Sequence, residues 1–62
     1  MKLRAYLDMT SEPQADFAAR VGVTIFAVRK WLNGERVPRG KNIVMMIKAT
    51  KGAVTADDWL PQ

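Results

Sequence analysis

Apolar residues recur along this chain at intervals of three and four, the spacing of one face of an α-helix, more often than they alternate as in a strand. The pattern predicts helices over residues 2–8, 12–21, 24–33 and about 38–51, and a short fifth helix after residue 55. Gly22, Gly34 and Gly52 follow three of these segments, where a left-handed residue commonly ends a helix. We therefore predict one all-α domain over residues 1–62, a compact bundle of four to five helices.

Residues that favour helix starts stand in front of the predicted segments. Ser11 and Gln14 have the spacing of a capping box, and Thr24 can cap the third helix. Pro38 can open the fourth helix, because proline suits the first helical position. Thr55, with an aspartate three residues later, repeats the start signal for the fifth. Asp16 and Arg20, four residues apart, allow an ion pair on the second helix.

The last third of the chain allows two interpretations. Ile43, Ile47 and Thr50 fit a helical stripe with Val44 beside them, which favours a helix. Because Ile and Val favour strands, residues 42–55 could instead form two strands joined by a Lys-Gly turn. The alternative fold is therefore α+β with a C-terminal β-hairpin. On the helical interpretation, the candidates for a subunit interface, each also explained by ordinary packing, are Met45, Met46, Trp59 and Leu60.

The third predicted helix divides into two unlike faces when its residues are placed about 100° apart. The face that we expect to join the core carries Thr24, Ala27, Val28, Trp31 and Leu32. The opposite face carries Ile25, Phe26, Arg29, Lys30 and Asn33. Adjacent exposed apolar side chains beside cations are typical of a contact surface, so we predict that this outer face meets a partner.

Composition narrows the chemistry of that partner. The 62 residues include ten Lys and Arg against six Asp and Glu, a net charge of +4 that suits a polyanion. With neither His nor Cys, the chain lacks the commonest general base and the commonest zinc ligands, so we expect no enzyme, no metal and no cofactor. The chain shows no apolar run of roughly 18 residues and no secretory leader, which indicates no membrane contact and a cytoplasmic location.

A family resemblance rests on residues 14–34, "QADFAARVGVTIFAVRKWLNG". Ala18 is the small residue at a helix crossing, Gly22 follows four residues later in the turn, and Val23, Val28 and Trp31 are apolar anchors. This stretch resembles the helix-turn-helix of the phage repressor and Cro superfamily. The end of the chain, "ATKGAVTADDWLP", is similar to that of small all-α members. Some Cro proteins carry a C-terminal β-hairpin, which keeps the α+β alternative open.

The resemblance implies a sequence-specific regulator of transcription whose recognition helix, residues 24–33, enters the major groove of duplex DNA. The implied base-reading residues are Ile25, Phe26, Arg29 and Lys30. Polar residues often occupy the first two positions in the family, so Ile25 and Phe26 depart from its pattern. The implied phosphate contacts are Gln14, Thr24 and Asn33, while Arg36, Arg39 and Lys41 surround a helix N-terminus that favours phosphate.

Such a small domain makes few base contacts, so we expect a homodimer on a two-fold operator in a bacterial cell. No small-molecule ligand is evident in the sequence. The alternative function is a protein-interaction module of antitoxin type that uses the Ile25 and Phe26 surface.

Overall fold

The computed structural model describes residues 1–59, which form four α-helices and a final 3-10 turn. The elements are α1 (Leu3–Thr10), α2 (Gln14–Val21), α3 (Ile25–Leu32), α4 (Gly40–Ala49) and the 3-10 turn Ala56–Trp59. No strand forms within residues 1–59, so the all-α prediction is confirmed and the β-hairpin alternative is wrong for this part of the chain. Leu60, a predicted interface residue, lies outside the described residues.

One hydrophobic core joins the helices, and α2 packs against both α3 and α4. Phe17, at 0% exposed, and the small Ala18 occupy the inner face of α2. The buried hydrophobic residues of this core are Leu3, Tyr6, Leu7, Phe17, Ala18, Val21, Val28, Trp31, Met46 and Val54. No helix in residues 1–59 combines the length and the apolar character needed to cross a membrane.

The inner face of α4 differs from the prediction. Met46 is 0% exposed, so its assignment to a subunit interface is wrong. The buried stripe runs through Met46 and Thr50 with Ile43 half-buried beside them, whereas Ile47 is only half-buried and Val44 is exposed. The flexible Met side chain fills the space facing α2, and the stripe is rotated by about one position from the predicted one.

The start of α2 also differs from the predicted capping box. Ser11 adopts a left-handed conformation, φ 54°, and ends α1 instead of starting α2. Pro13 is the N-cap of α2 and supplies no side-chain cap, while its carbonyl accepts a hydrogen bond from Phe17 N at 3.1 Å. Proline disfavours helical geometry in the preceding residue, which keeps Glu12 out of the helix. Pro13 itself is extended (φ −62°, ψ 145°), so α2 begins at Gln14. The Ser11–Gln14 capping box is therefore absent.

Arg20 has partners other than the predicted Asp16. Its guanidinium makes a bidentate pair with the carboxylate of Glu12, with both N–O distances 2.8 Å. It also donates to the carbonyl of Ala49 at 2.8 Å and to the hydroxyl of Tyr6 at 3.3 Å. The hydrogen bonds that Arg20 donates to the Glu12 carboxylate are the main cause that raises the pKa of Arg20 above its ordinary value. Arg20 thus ties α2 to the α1–α2 loop and to the end of α4.

The fourth helix begins later than predicted. Pro38 is buried in an extended loop and does not open α4, which starts at Gly40 after Arg39 in the extended region (φ −73°, ψ 160°). At its other end, the buried Thr50 hydroxyl donates to the carbonyl of Met46 at 2.7 Å and accepts from Val54 N at 3.1 Å. These hydrogen bonds hold the following turn against the core.

The predicted start after Thr55 is confirmed, but the segment is a 3-10 turn, and the Thr55 hydroxyl donates to Asp58 at 3.4 Å instead of capping an amide. The carboxylate of Asp58 accepts hydrogen bonds from Thr55 N at 2.8 Å and from the Met1 ammonium group at 3.1 Å. The bond from the backbone of Thr55 is the main cause that lowers the pKa of Asp58. The turn places Trp59 edge-on against Trp31, with ring centroids 6.3 Å apart, so Trp59 helps to close the core.

Candidate nucleic-acid interface

Three residues, 22–24, join α2 to α3 and set the direction of α3. Gly22 ends α2 with φ 82°, and both Gly22 N and Val23 N donate to the carbonyl of Ala18, at 2.9 and 3.0 Å. Thr24 then adopts an extended conformation, and its hydroxyl accepts from Ala27 N at 3.2 Å, which confirms the predicted cap. The sharp change of direction therefore depends on a left-handed glycine followed by a capping threonine.

The buried face of α3 fixes which side chains point away from the core. Val28 is 0% exposed and Trp31 is 6% exposed, while Ala27 and Leu32 are half-buried against the same core. The two faces predicted from the helical angles are confirmed at most positions. Thr24, predicted on the core face, is exposed. Ile25, predicted on the outer face, is half-buried at its edge.

The outer face of α3 presents an aromatic ring beneath a cation. Phe26 is 66% exposed, and the carbon at the centre of the Arg29 guanidinium lies 5.9 Å from the centroid of its ring. The two residues are three apart, so they are neighbours on the helix surface. A cation at this distance over an aromatic face is held by the ring electrons. The pair is therefore a preformed unit on an exposed helix face.

Lys30, unlike Arg29, is paired with an acidic side chain. Its Nζ lies 3.4 Å from a carboxylate oxygen of Glu35 in the loop after α3. Both side chains are about half exposed, so this pair contributes at most about 1 kcal/mol and a phosphate can replace the carboxylate. Sequence reasoning missed Glu35, because residues five apart across the end of a helix carry no pairing signal.

A cationic segment continues from α3 to the start of α4. Between residues 29 and 41 there are five Lys and Arg and one acid, Glu35, so half of the chain's basic residues lie there. Arg36, Arg39 and Lys41 are all exposed, as is Asn33 at the end of α3. The first turn of α4 contains no acidic residue and its N-cap makes no side-chain hydrogen bond. Its amides and helix dipole therefore favour an anion.

Comparisons with known proteins supply no relative. No protein-family model, curated protein or solved structure matches the chain. The function must therefore be inferred from the side chains themselves.

Gln14 and Thr24, the remaining predicted contacts, lie at helix starts. Gln14, the first residue of α2, is half-buried and lines a groove of about 450 Å³ between α1, α2 and the end of α3. Thr24 is exposed, and because its oxygen accepts from Ala27 N, its hydroxyl hydrogen can still donate to a phosphate.

Arg4 is a further cation near this region. It is exposed on α1, and its Nη2 lies 3.4 Å from the carbonyl of Leu32, at the C-terminal end of α3. Sequence reasoning missed it, because only the tertiary packing of α1 brings it to α3.

Proposed function

We propose that this protein is a sequence-specific regulator of transcription that binds double-stranded DNA, with α2 and α3 acting as a helix-turn-helix. The main support is the outer face of α3, where Phe26 and Arg29 stand exposed on a helix whose other face is locked into the core. An α-helix fits the major groove, and exposed side chains along one face of it reach base edges.

The exposed side chains of α3 match the chemistry of base edges. The Arg29 guanidinium can donate two parallel hydrogen bonds to O6 and N7 of guanine. Phe26, with Ile25 at the edge of the face, supplies apolar surface for thymine methyl groups. Lys30 reaches a base or, once released from Glu35, a phosphate.

Phosphate contacts would fix the orientation of α3 in the groove. Arg36, Arg39 and Lys41 surround the amides at the start of α4, which attract a phosphate by charge and by direct hydrogen bonding. In the proposed complex Gln14, Thr24 and Asn33 add neutral hydrogen bonds to the backbone. Contacts of this kind add affinity but carry no sequence information.

We propose that the protein binds a two-fold operator as a homodimer. One domain with a single short recognition helix reads only a few base pairs, and two copies about 34 Å apart read two half-sites on one side of the duplex. We expect this to occur in the bacterial cytoplasm, with no catalytic activity and no cofactor.

Selection from a random duplex library, followed by fluorescence anisotropy with the selected DNA, tests the proposal. We expect two related half-sites about one helical turn apart, and log affinity that falls by about 0.9 per phosphate contact for each unit of log salt concentration. Failure to enrich any sequence at low salt would contradict the proposal.

A double charge reversal tests the surface. Arg29→Glu with Lys30→Glu removes one bidentate base contact and one further cation, so we expect affinity to fall at least about 100-fold. Lys48→Glu with Lys51→Glu is the matched control, because it changes the net charge equally at exposed positions outside the proposed interface. Equal losses in the two variants would show that only net charge matters.

A second candidate function is a protein-interaction module, which the 66% exposure of Phe26 favours. An apolar contact would survive the reversal of Arg29 and Lys30 but not Phe26→Ala. DNA binding predicts the opposite order, with the charge reversal more damaging than Phe26→Ala.

A further inference from the structure

We propose that Phe26 and Arg29 form one reading unit, which selects a guanine directly beside a thymine or a 5-methylcytosine. This inference rests on the proposed function and specifies its DNA target. It predicts that the protein responds to a single methyl group on a pyrimidine.

The structure ties the two side chains together. Their three-residue spacing puts them on one face of α3, and the guanidinium carbon lies 5.9 Å from the ring centroid. The ion pairs within residues 1–59 engage Arg20, Lys30 and the Met1 ammonium group, and Arg29 is in none of them. The Phe26 ring is therefore the group that orients the Arg29 guanidinium.

The N–H groups of the Arg29 guanidinium are available to bind a base. Within residues 1–59 the Arg29 side chain makes no hydrogen bond and no ion pair, so its N–H groups can donate to O6 and N7 of guanine while the guanidinium stays near the ring. Because the ring restricts the rotamers of the long Arg29 side chain, less freedom is lost when the base is bound. Phe26 is in this respect a positioning residue for Arg29.

The same ring is placed to contact the neighbouring base. Phe26 is 66% exposed beside Arg29. In the proposed complex, with Arg29 bound to guanine, the ring would therefore meet the neighbouring base pair. Thymine presents a methyl group at C5 in the major groove, whereas cytosine presents only hydrogen there. 5-Methylcytosine carries the same methyl group and offers the ring the same apolar contact.

The test uses the duplex obtained by selection, with modified bases at the pyrimidine beside the guanine. Replacing thymine by deoxyuridine removes the methyl group alone, and we expect wild-type affinity to fall about fourfold, as for one buried methylene-sized group. At a cytosine–guanine pair placed at this position, 5-methylation should raise the affinity by a similar factor.

Two variants assign the effect to Phe26. Phe26→Ala should bind the thymine and deoxyuridine duplexes with equal affinity. It should also discriminate less against replacement of the guanine, because the ring no longer orients the Arg29 guanidinium. Met9→Ala is the control, because Met9 on α1 is a similarly exposed apolar residue (63%) outside the proposed interface. It should keep the methyl response. Full methyl discrimination by Phe26→Ala would overturn the inference.

The outcomes separate the two proposals. If no duplex is selected, the proposed function fails. If a duplex is bound tightly and specifically but its affinity is indifferent to the methyl group, or if no pyrimidine–guanine neighbour occurs in the half-site, only the reading unit is wrong.

Discussion

Two Phe–Arg pairs with the same three-residue spacing lie on adjacent helices and have opposite environments. On α2, Arg20 lies 5.7 Å from the ring of Phe17, and on α3, Arg29 lies 5.9 Å from the ring of Phe26. Phe17 is 0% exposed and Phe26 is 66% exposed. Arg20 donates to Glu12, Tyr6 and Ala49, whereas the ring of Phe26 holds Arg29.

The difference shows that the three-residue spacing alone does not determine whether an aromatic–cation pair stabilises the fold or stays exposed for a partner. The first pair belongs to the fold, because its ring fills the core and its cation joins three segments. The second contributes little to the fold and is available for a partner. Substitutions at the two pairs should therefore affect different properties.

The largest contrast is expected between the two phenylalanines. Phe17→Ala should lower the free energy of unfolding by about 3–5 kcal/mol, since it leaves a cavity in a small core. Phe26→Ala should change it by less than about 0.5 kcal/mol, as at an ordinary surface position. Urea denaturation followed by circular dichroism measures both. If Phe17→Ala does not fold, Phe17→Leu provides a milder comparison, and a large loss for Phe26→Ala would contradict the distinction.

The two arginines give the next contrast. Arg20→Met should destabilise the fold by about 1–2 kcal/mol, because it removes charge-assisted hydrogen bonds and leaves Glu12 without its partner. The side chain is 43% exposed, which keeps the loss moderate. Arg29→Met should leave the stability within about 0.5 kcal/mol while weakening DNA binding. Similar denaturation curves for the two variants would refute the assignment of Arg20 to the fold.

The turn between the two helices should be sensitive to backbone strain. Gly22→Ala should cost about 1 kcal/mol, because an L-residue is strained at φ 82°, although an added Cβ would meet no atom within 4 Å. Gly40→Ala is the control, since Gly40 lies in α4 without a positive φ and without a neighbour within 4 Å of an added Cβ. It should stabilise the protein by about 0.5–1 kcal/mol. Thermal unfolding should show opposite shifts in Tm.

The smallest expected effect is the pH dependence of the stability that Asp58 contributes. The pKa of Asp58 is lowered in the folded protein, so its stabilisation is present above the unfolded pKa of about 3.9 and is lost as the pH falls through the lower folded pKa. Asp58→Asn should therefore be less stable than wild type at pH 7 by less than about 1 kcal/mol, and the difference should vanish near pH 2. Because Asp58 is hydrogen-bonded to Met1 and Thr55 and to neither arginine, this difference should not depend on Arg20 or Arg29. An unchanged difference between pH 7 and pH 2 would show that the carboxylate has no such role.

The sequence was sufficient to predict the helices and the two faces of α3. Local signals carried those predictions, since the turn glycine, the Thr24 cap and the alternation of apolar and charged residues act within a few positions. The base-reading candidates on α3 were implied by the family resemblance, and the helical angles placed the same residues on the outer face.

Most of the failed predictions depend on contacts between separate segments, whereas the Ser11–Gln14 capping box fails for a local reason, the proline between them. Met46 is buried because α2 faces it, Pro38 packs as a loop residue, and Arg20 finds Glu12 and Ala49 instead of Asp16. The ion pair of Lys30 with Glu35 likewise required the loop geometry. Periodicity within one segment contains no information on such partners.

The most direct test of the central claim is a titration of the ¹⁵N-labelled protein with the selected duplex, followed by two-dimensional NMR. We expect the largest amide shifts at residues 24–30 and 36–42, and small shifts in α1 and around Arg20. Shifts concentrated in α1, or no shifts at any DNA concentration, would contradict the claim.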